Sequence, residues 1–149
     1  MNQKVITIAI AEDHKLMGET IAKTLTQMGF SIMNVSKNGK ELLSHLAAAD
    51  ELPDVCLLDI NMPGMKGYEV AKVLKGLYPK IKVAALTTST DMEDLIIMLK
   101  NGGGSFLSKN ADPIEWKAAI YGLLERGYHC TDWMANTMLR YIRLDEKLA

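Results

Sequence analysis

The sequence predicts an α/β protein built on a doubly wound, five-stranded parallel sheet with helices on both faces and one further helix at the C-terminus. Short apolar runs rich in β-branched residues alternate along the chain with longer segments whose apolar residues recur every three or four positions. Such runs are typical of strands buried on both faces of a parallel sheet. Glycine, proline and capping residues separate the segments, so we expect five strand–helix units joined by right-handed crossovers.

The first two units occupy the N-terminal third of the chain. The run from Val5 to Ala11 predicts the first strand. An apolar stripe with helical spacing then predicts a helix that ends at Gly29, a residue suited to a helix C-terminus. Phe30 to Val35 predicts the second strand, and Asn38 is placed to cap the second helix because an acid follows it three positions later.

The next two units follow the same pattern. Val55 to Leu58 predicts the third strand. Tyr68 to Leu77 predicts a third helix that stops before Pro79, since the residue preceding a proline disfavours helical backbone. Ile81 to Leu86 predicts the fourth strand. Thr90 has capping-box spacing to an acid three positions later, so it is expected to cap the fourth helix.

The fifth unit carries the strongest helix-start signal. Ser105 to Ser108 predicts a short strand at an edge of the sheet. Asp112 at the N-cap, Pro113 at the first helical position and an acid in the first turn predict the start of the fifth helix. This helix carries Trp116 on its apolar side and ends near Gly127.

The segment 128–149 forms no further strand–helix unit and predicts one amphipathic helix, separate from a domain that spans residues 1–127. Its apolar stripe must be buried on the domain, on a partner or on a second copy of the chain. The stripe consists of Met134, Met138, Tyr141, Ile142 and Leu148.

Composition argues against several classes of protein. The 149 residues suit one ordinary domain, and the net charge of −1 favours binding to neither nucleic acid nor an acidic surface. With two cysteines, no signal-peptide pattern and no apolar run near the roughly 18 residues of a membrane span, we expect a cytoplasmic protein without a disulfide framework. His14, His45 and His129 show no metal-ligand spacing and are expected at the surface or in local structure.

Polar side chains of particular kinds follow four of the predicted strands. Glu12 and Asp13 follow the first strand, Asp59 the third, Thr87 the fourth and Lys109 the fifth. The carboxyl ends of parallel strands meet at one edge of the sheet, which is where open α/β sheets bind ligands. Three carboxylates, one hydroxyl and one ammonium suit a divalent cation and a phosphoryl group. Taken alone, Lys109 would be expected as a solvated surface lysine, and only its position argues otherwise.

These residues, together with the segments Leu58 to Gly64 and Phe106 to Lys109, resemble the response-regulator receiver domain of two-component signalling. The resemblance spans residues 5 to about 126. It implies a flavodoxin-like fold with strand order 2-1-3-4-5 and a sensor histidine kinase as the partner that donates a phosphoryl group. Receivers commonly have a proline with a cis bond after the lysine. Here Asn110 follows Lys109, so the sequence leaves the conformation of that peptide bond open.

The resemblance also implies which residues hold the phosphoryl group and its metal ion. Asp59 is implied to be the phosphoacceptor, a carboxylate that forms an acyl phosphate. The implied cofactor is Mg²⁺, held by the carboxylates of Asp13 and Asp59 and by the backbone carbonyl of Asn61. Glu12 is implied to act on this ion through water.

The remaining site residues are implied to respond to the phosphoryl group. Lys109 pairs with one phosphoryl oxygen, and Thr87 donates a hydrogen bond to another. Thr87 then moves the loop that begins the fourth helix, and Phe106 turns in behind it, so the domain behaves as two conformations in equilibrium. From the residues alone, Phe106 is expected to be ordinary core.

The segment Lys109 to Asp112 and the stretch after Gly127 resemble regulators of the LuxR/NarL type, in which a linker helix leads to a helix-turn-helix DNA-binding domain. The sequence shows no such domain and no basic recognition face, so direct binding to nucleic acid is not expected. We expect either a truncated transcription regulator or a free-standing receiver that acts by protein contact. Its output is expected through the fourth helix, fifth strand and fifth helix.

A homodimer or partner surface is one interpretation of Leu95 to Leu99, five successive apolar residues that cannot all face inward, and of Ile114, Ala118 and Tyr121 on the fifth helix. Ordinary scatter of apolar residues over the surface is the other. Two functional alternatives also stay open: a Mg²⁺-dependent hydrolase of phosphate esters, and a degenerate receiver that only binds partners. Asn61 stands where such hydrolases often carry a second acid, which argues against turnover.

Overall fold

A computed structural model describes residues 4–145 and confirms the doubly wound α/β fold. The strands are β1 (Thr7–Ala11), β2 (Ser31–Ser36), β3 (Val55–Leu58), β4 (Lys82–Thr87) and β5 (Ser105–Ser108). The helices are α1 (Lys15–Gln27), α2 (Gly39–Ala48), α3 (Gly67–Leu77), α4 (Met92–Lys100), α5 (Pro113–Arg126) and α6 (Asp132–Leu144). All strand pairs are parallel, and the strand order is β2-β1-β3-β4-β5, as expected.

The sheet separates two apolar cores. Successive side chains of a strand point to opposite faces, so each central strand contributes to both cores. In β1, Ile8 and Ile10 pack with side chains of α1 and α5, whereas Ala9 and Ala11 pack with side chains of α2, α3 and α4. Burial on both faces explains why the strands appear in the sequence as continuous apolar runs.

The observed bounds of β1, β2 and β4 differ from the predicted bounds by one or two residues, whereas those of β3 and β5 are as predicted. Strand β1 begins at Thr7 because Val5 is exposed and outside the sheet. Strand β2 is shifted by one residue, since Phe30 is buried as the last residue of the turn before it. Thr87 is the last residue of β4, in register with Ser108, and so belongs to the strand that it was expected to follow.

The predicted cap of the fourth helix is wrong by one residue. Asp91, not Thr90, is the N-cap of α4, and its Oδ1 accepts a hydrogen bond of 3.0 Å from the backbone N–H of Glu93. Asp caps a helix as well as Thr does, and its negative charge is favoured at the positive end of the helix. Ser89 supports this geometry, since its hydroxyl donates to Asp94 and accepts from the N–H of Asp91.

The other predicted caps are confirmed. Asn38 accepts a hydrogen bond of 2.7 Å from the N–H of Glu41 at the start of α2. Asp112 accepts one from Ile114 at the start of α5, with proline in the first turn. Helix α5 ends at Gly127, whose φ of 89° lies in the left-handed region that favours glycine.

The predicted C-terminal helix is confirmed, but its predicted stripe is wrong at Ile142, which is 52% exposed because it lies on the side of the helix that faces away from the domain. Helix α6 packs on the domain itself, with Met134 buried in the core on the α4 side and Met138 packed against it. The chain reaches α6 through His129, whose N–H donates to Gly104 and whose carbonyl accepts from the Ser105 hydroxyl at 2.6 Å. Leu148, the last member of the predicted stripe, lies outside the described residues.

Two further features follow from the described backbone. Every peptide bond between residues 4 and 145 is trans, including the one between Lys109 and Asn110 that the sequence left open. Over the same range, none of the helices combines the length and the apolar character that crossing a membrane requires.

The two cysteines provide a test of the core. Cys56 lies in β3, where burial raises the pKa of its thiol to about 12, whereas Cys130 is exposed. A raised pKa leaves less reactive thiolate at neutral pH, so a thiol reagent should label Cys130 at once and Cys56 only after unfolding. Mass spectrometry of the native protein should show one label, and Cys130→Ser should show none. Rapid double labelling would contradict the packing of β3.

Candidate functional site

The ends of the strands are tied together by hydrogen bonds that continue the sheet past its last paired residues. The N–H of Glu12 donates to β2, that of Asp59 to β1 and that of Lys109 to β4, with lengths of 2.8, 3.0 and 3.0 Å. Each bond sets the backbone from which a polar side chain leaves the sheet. The predicted convergence of these residues at one edge is therefore built by local backbone pairing.

A buried ion-pair cluster lies at the centre of this edge. The ammonium of Lys109 donates to Asp59 Oδ2 at 3.0 Å and also forms an ion pair with Glu12 Oε1. The side chain of Lys109 is only 6% exposed, whereas a lone lysine at a strand end would be expected in solvent. Because desolvated charges are costly, such a cluster is stable only when each charge faces an opposite one.

The cluster shifts the pKa of two of its members. Burial raises the pKa of Glu12, Lys109 opposes that rise, and the neighbouring Asp59 adds to it. For Lys109, burial lowers the pKa, but the hydrogen bonds and charges of Glu12 and Asp59 outweigh it and the net shift is upward. Lys109 therefore remains an ammonium at neutral pH, available to an incoming anion.

Two carboxylate oxygens beside this cluster face no donor. Among residues 4–145, Glu12 Oε2 and Asp13 Oδ1 are buried and have no hydrogen-bond partner. Buried anionic oxygens without a donor are unfavourable unless a cation satisfies them. The site holds three carboxylates against one ammonium, and carboxylate oxygens are the ligands that a hard divalent cation prefers. The residues present therefore fit a divalent cation.

His14 was expected to be surface or local structure, and the structure places it at the site. Its Nδ1 lies 3.4 Å from Asp13 Oδ1 and 3.9 Å from Glu12 Oε2, although its side chain is 76% exposed. Its exposure agrees with the surface position that was expected, and its place at the site follows from its position directly after the acidic pair in the sequence.

A cleft of about 320 Å³ opens over the cluster. Asp59 lies at its floor as a buried residue, and Asn61 accepts a hydrogen bond of 3.4 Å from Lys66 at its rim. The residues that line the cleft are His14, Met17, Asp59, Asn61, Thr88 and Lys109. Met17 and Thr88 were not among the predicted site residues.

The two residues of the predicted switch lie beside the cleft and do not line it. Thr87 is buried, and its hydroxyl accepts a hydrogen bond of 3.1 Å from the N–H of Ser89. Phe106 is buried on the α4 side of the sheet, as expected for core, and its ring lies 5.4 Å from that of Trp133 in α6. Phe106 also lines a second cavity, of about 350 Å³, between the loop before α4 and the start of α6.

A model of the response regulator receiver domain matches residues 8–121, so the chain belongs to that family. The resemblance seen in the sequence is confirmed. The chain is a receiver domain of the kind found in two-component response regulators.

Individual relatives agree with this assignment. The chain is 30% identical over 122 residues to the nitrate/nitrite response regulator protein NarL of Escherichia coli (strain K12), covering 80% of this chain and 55% of NarL. It is 31% identical over 144 residues to the transcriptional regulatory protein DegU of Brevibacillus brevis, covering 96% of this chain and 60% of DegU. The chain thus spans little more than half the length of these relatives.

The fold agrees as well. A crystal structure of a LuxR-family two-component response regulator from Aurantimonas sp. SI85-9A1 superposes with a TM-score of 0.82. The superposition covers 93% of this chain and 98% of that chain at 17% sequence identity, a likeness that shows the fold alone.

Gly67 gives a test of how the cleft is built. Its N–H donates to the Ile60 carbonyl, and a Cβ at this position would collide with the backbone carbonyl of Asp59. Gly67→Ala should therefore push Asp59 out of place and lower the free energy of unfolding by about 1–3 kcal/mol. Urea unfolding measures the change.

The matched control is Gly76→Ala in the same helix, where a Cβ meets open space. It should stabilise the protein by about 0.5–1 kcal/mol, because alanine is the better helix former. Equal effects of the two substitutions would show that Gly67 does not limit the position of Asp59.

Proposed function

We propose that Asp59 accepts a phosphoryl group from a sensor histidine kinase in a Mg²⁺-dependent reaction. The observation that carries the proposal is the buried ammonium of Lys109, held 3.0 Å from Asp59 Oδ2. A permanent cation buried beside one carboxylate, at the floor of an open cleft, is poorly explained as surface charge. Such a cation suits a site where the neighbouring carboxylate will receive further negative charge.

The reaction needs a nucleophile, counter-charge and a place for the new group. A carboxylate oxygen of Asp59 attacks phosphorus, an acyl phosphate bond forms, and the bond to the donor's imidazole nitrogen breaks. The attack brings two anions together, so the charge of Lys109 lowers its barrier. Lys109 then exchanges its hydrogen bond from Asp59 to a phosphoryl oxygen.

The metal site of the proposal uses the oxygens that the protein leaves without donors. Asp13 and Asp59 would hold Mg²⁺ directly, together with the backbone carbonyl of Asn61. Glu12 already engages Lys109 through Oε1, so Oε2 is left to act through water. A bound Mg²⁺ supplies positive charge that offsets the charge of the attacking carboxylate and the phosphoryl oxygens.

Thr87 is the residue through which the phosphoryl group would change the domain. Its hydroxyl accepts from Ser89 and therefore still has its own proton to donate to a phosphoryl oxygen. Ser89 in turn holds Asp91 and Asp94 at the start of α4. A shift of Thr87 toward the cleft would thus pull on the first turn of α4, which supports its proposed role as a switch.

A small phosphodonor tests phosphoacceptance. Acetyl phosphate with Mg²⁺ should add one phosphoryl group to the protein, and a metal chelator should prevent the addition because the counter-charge is lost. Intact-mass spectrometry measures the gain. Asp59→Asn should abolish it, whereas Asp50→Asn, a substitution of an exposed acid away from the cleft, should leave it unchanged.

The mass measurement, together with an assay of a phosphatase substrate, separates the alternatives. An unchanged mass would support a degenerate receiver that only binds partners. Sustained turnover of a phosphatase substrate would support the hydrolase, against which the family assignment and Asn61 both argue.

We further propose that residues 1–127 form the receiver, that 128–149 form a linker helix, and that output passes through the face formed by α4, β5 and α5. Helix α6 rests on this face: Trp133 lies on Phe106, Met134 belongs to the same buried core as Met98, and Tyr141 contacts Lys100. The ammonium of Lys100 in α4 donates to the Tyr141 hydroxyl at 3.1 Å and lies over its ring.

This packing changes the interpretation of the apolar surface residues. Leu95 and Met98 of the run on α4 are buried, Leu99 packs against the same core, and Ile97 remains partly exposed. A homodimer that uses the face of α4 covered by α6 would therefore have to displace α6. Ile114 on α5 is 68% exposed and is free of this constraint.

If Phe106 moves on phosphorylation, its contact with Trp133 must change, and α6 should loosen. Hydrogen exchange of the α6 amides should then be faster in the phosphorylated protein, whereas α2, which packs on β2 and β1 at the opposite edge of the sheet from β5, should not respond. By linkage, Trp133→Ala should strengthen binding of beryllium fluoride, a phosphoryl mimic, and Ile142→Ala on the exposed side of α6 should not. Identical exchange in both states would remove α6 from the switch.

A further inference from the structure

We propose that His14 adds a nitrogen ligand to the acidic end of the cleft, so that this domain binds a borderline transition ion such as Ni²⁺ more tightly than it binds Mg²⁺. The inference rests on the proposed function, since it concerns the same cleft. It assigns a role to a side chain that phosphoacceptance does not use.

Three potential ligand atoms at the acidic end of the cleft are spaced as ligands of one ion would be. Nδ1 of His14, Oδ1 of Asp13 and Oε2 of Glu12 belong to a group whose ligand atoms all lie within 4.8 Å of one another. The imidazole nitrogen is 3.4 Å from the Asp13 oxygen and 3.9 Å from the Glu12 oxygen. Ligands at about 2.1 Å from an octahedral ion are about 3.0 Å apart when adjacent and about 4.2 Å apart when opposite. Both observed distances fall within these limits.

The two carboxylate oxygens next to the imidazole lack hydrogen-bond partners. Glu12 is 2% exposed, and its Oε2 has no hydrogen-bond partner among residues 4–145, like Oδ1 of Asp13. Neither contact with His14 is short enough for a good hydrogen bond. Nδ1 of the imidazole is thus next to two carboxylate oxygens that have no hydrogen-bond donor. Its distance from each oxygen is too long for a good hydrogen bond and matches the distance between two ligands of one ion.

The imidazole ring of His14 can bind an ion through Nδ1 while Nε2 stays in contact with water. His14 is largely exposed, so water can solvate Nε2 and its proton when Nδ1 donates its lone pair to an ion. Its backbone is held in place because its carbonyl accepts a hydrogen bond of 2.9 Å from Gly18 in the first turn of α1. The backbone that carries the imidazole is therefore ordered.

Imidazole nitrogen favours Ni²⁺, Cu²⁺ and Zn²⁺, whereas Mg²⁺ takes oxygen ligands and gains little from it. A site with one nitrogen and two carboxylate oxygens is expected to bind Ni²⁺ more tightly than Mn²⁺, Fe²⁺ or Co²⁺. Met17, with a soft thioether, lines the same cleft. The side chains around the acids are thus better suited to a transition ion than carboxylates alone would be.

Isothermal titration of the untagged 149-residue chain tests the inference. Ni²⁺ and Mg²⁺ are each titrated alone into the wild type, His14→Asn and His129→Asn. The wild type should bind Ni²⁺ more tightly. His14→Asn should lower the ratio of the Ni²⁺ to the Mg²⁺ affinity by about 10- to 100-fold, the loss typical when a metal site loses a supporting group. His129→Asn removes a histidine remote from the acids and should leave the ratio unchanged.

Three results would overturn the inference: a wild type that binds Ni²⁺ no more tightly than Mg²⁺, a ratio that survives His14→Asn, or a ratio that falls with His129→Asn. A second readout is the imidazole NMR signal of His14, which Ni²⁺ should broaden before those of the other histidines. Failure of the proposed function is distinguishable. If Asp59 of the wild type takes no phosphoryl group while the Ni²⁺ preference depends on His14, the metal site stands and phosphoacceptance does not.

Discussion

The buried ammonium of Lys109 is the interaction on which the site depends. It lies between carboxylates that come from two other strand ends, and none of these charges could be desolvated alone. Together they hold the ends of β1, β3 and β5 in fixed relation. The cluster nevertheless remains short of positive charge, because its two carboxylates face one ammonium and Asp13 adds a third carboxylate beside them. The same constraint that stabilises this edge of the sheet therefore makes it receptive to a cation.

Strand β5 links this edge to the rest of the molecule. Lys109 follows the strand directly, and Phe106 lies within it, buried on the side that faces α4 and α6. Trp116 of α5 secures the same region, since its ring N–H donates to the Ser108 carbonyl at 3.0 Å. A change of charge in the cleft and a change of packing under α6 thus share a few adjacent residues. This proximity is the physical basis of the proposed output.

Much of the fold could be predicted because its determinants are local. Strand periodicity, the caps at Asn38 and Asp112 and the left-handed Gly127 each depend on residues a few positions apart. Local signals also failed where two neighbours competed, as when Asp91 replaced Thr90 at the start of α4. The place of His14 beside the acids is local too, since it directly follows Glu12 and Asp13 in the chain.

By itself the sequence determined the alternation of strands and helices and the kinds of side chain at each strand end, since both depend on residues that are close together in the chain. Only the tertiary structure decided that Lys109 is buried against Asp59, fifty positions away, and that α6 covers α4 instead of a partner. Such contacts depend on how the whole sheet closes and on what surface it leaves apolar. No local period of the sequence carries that information.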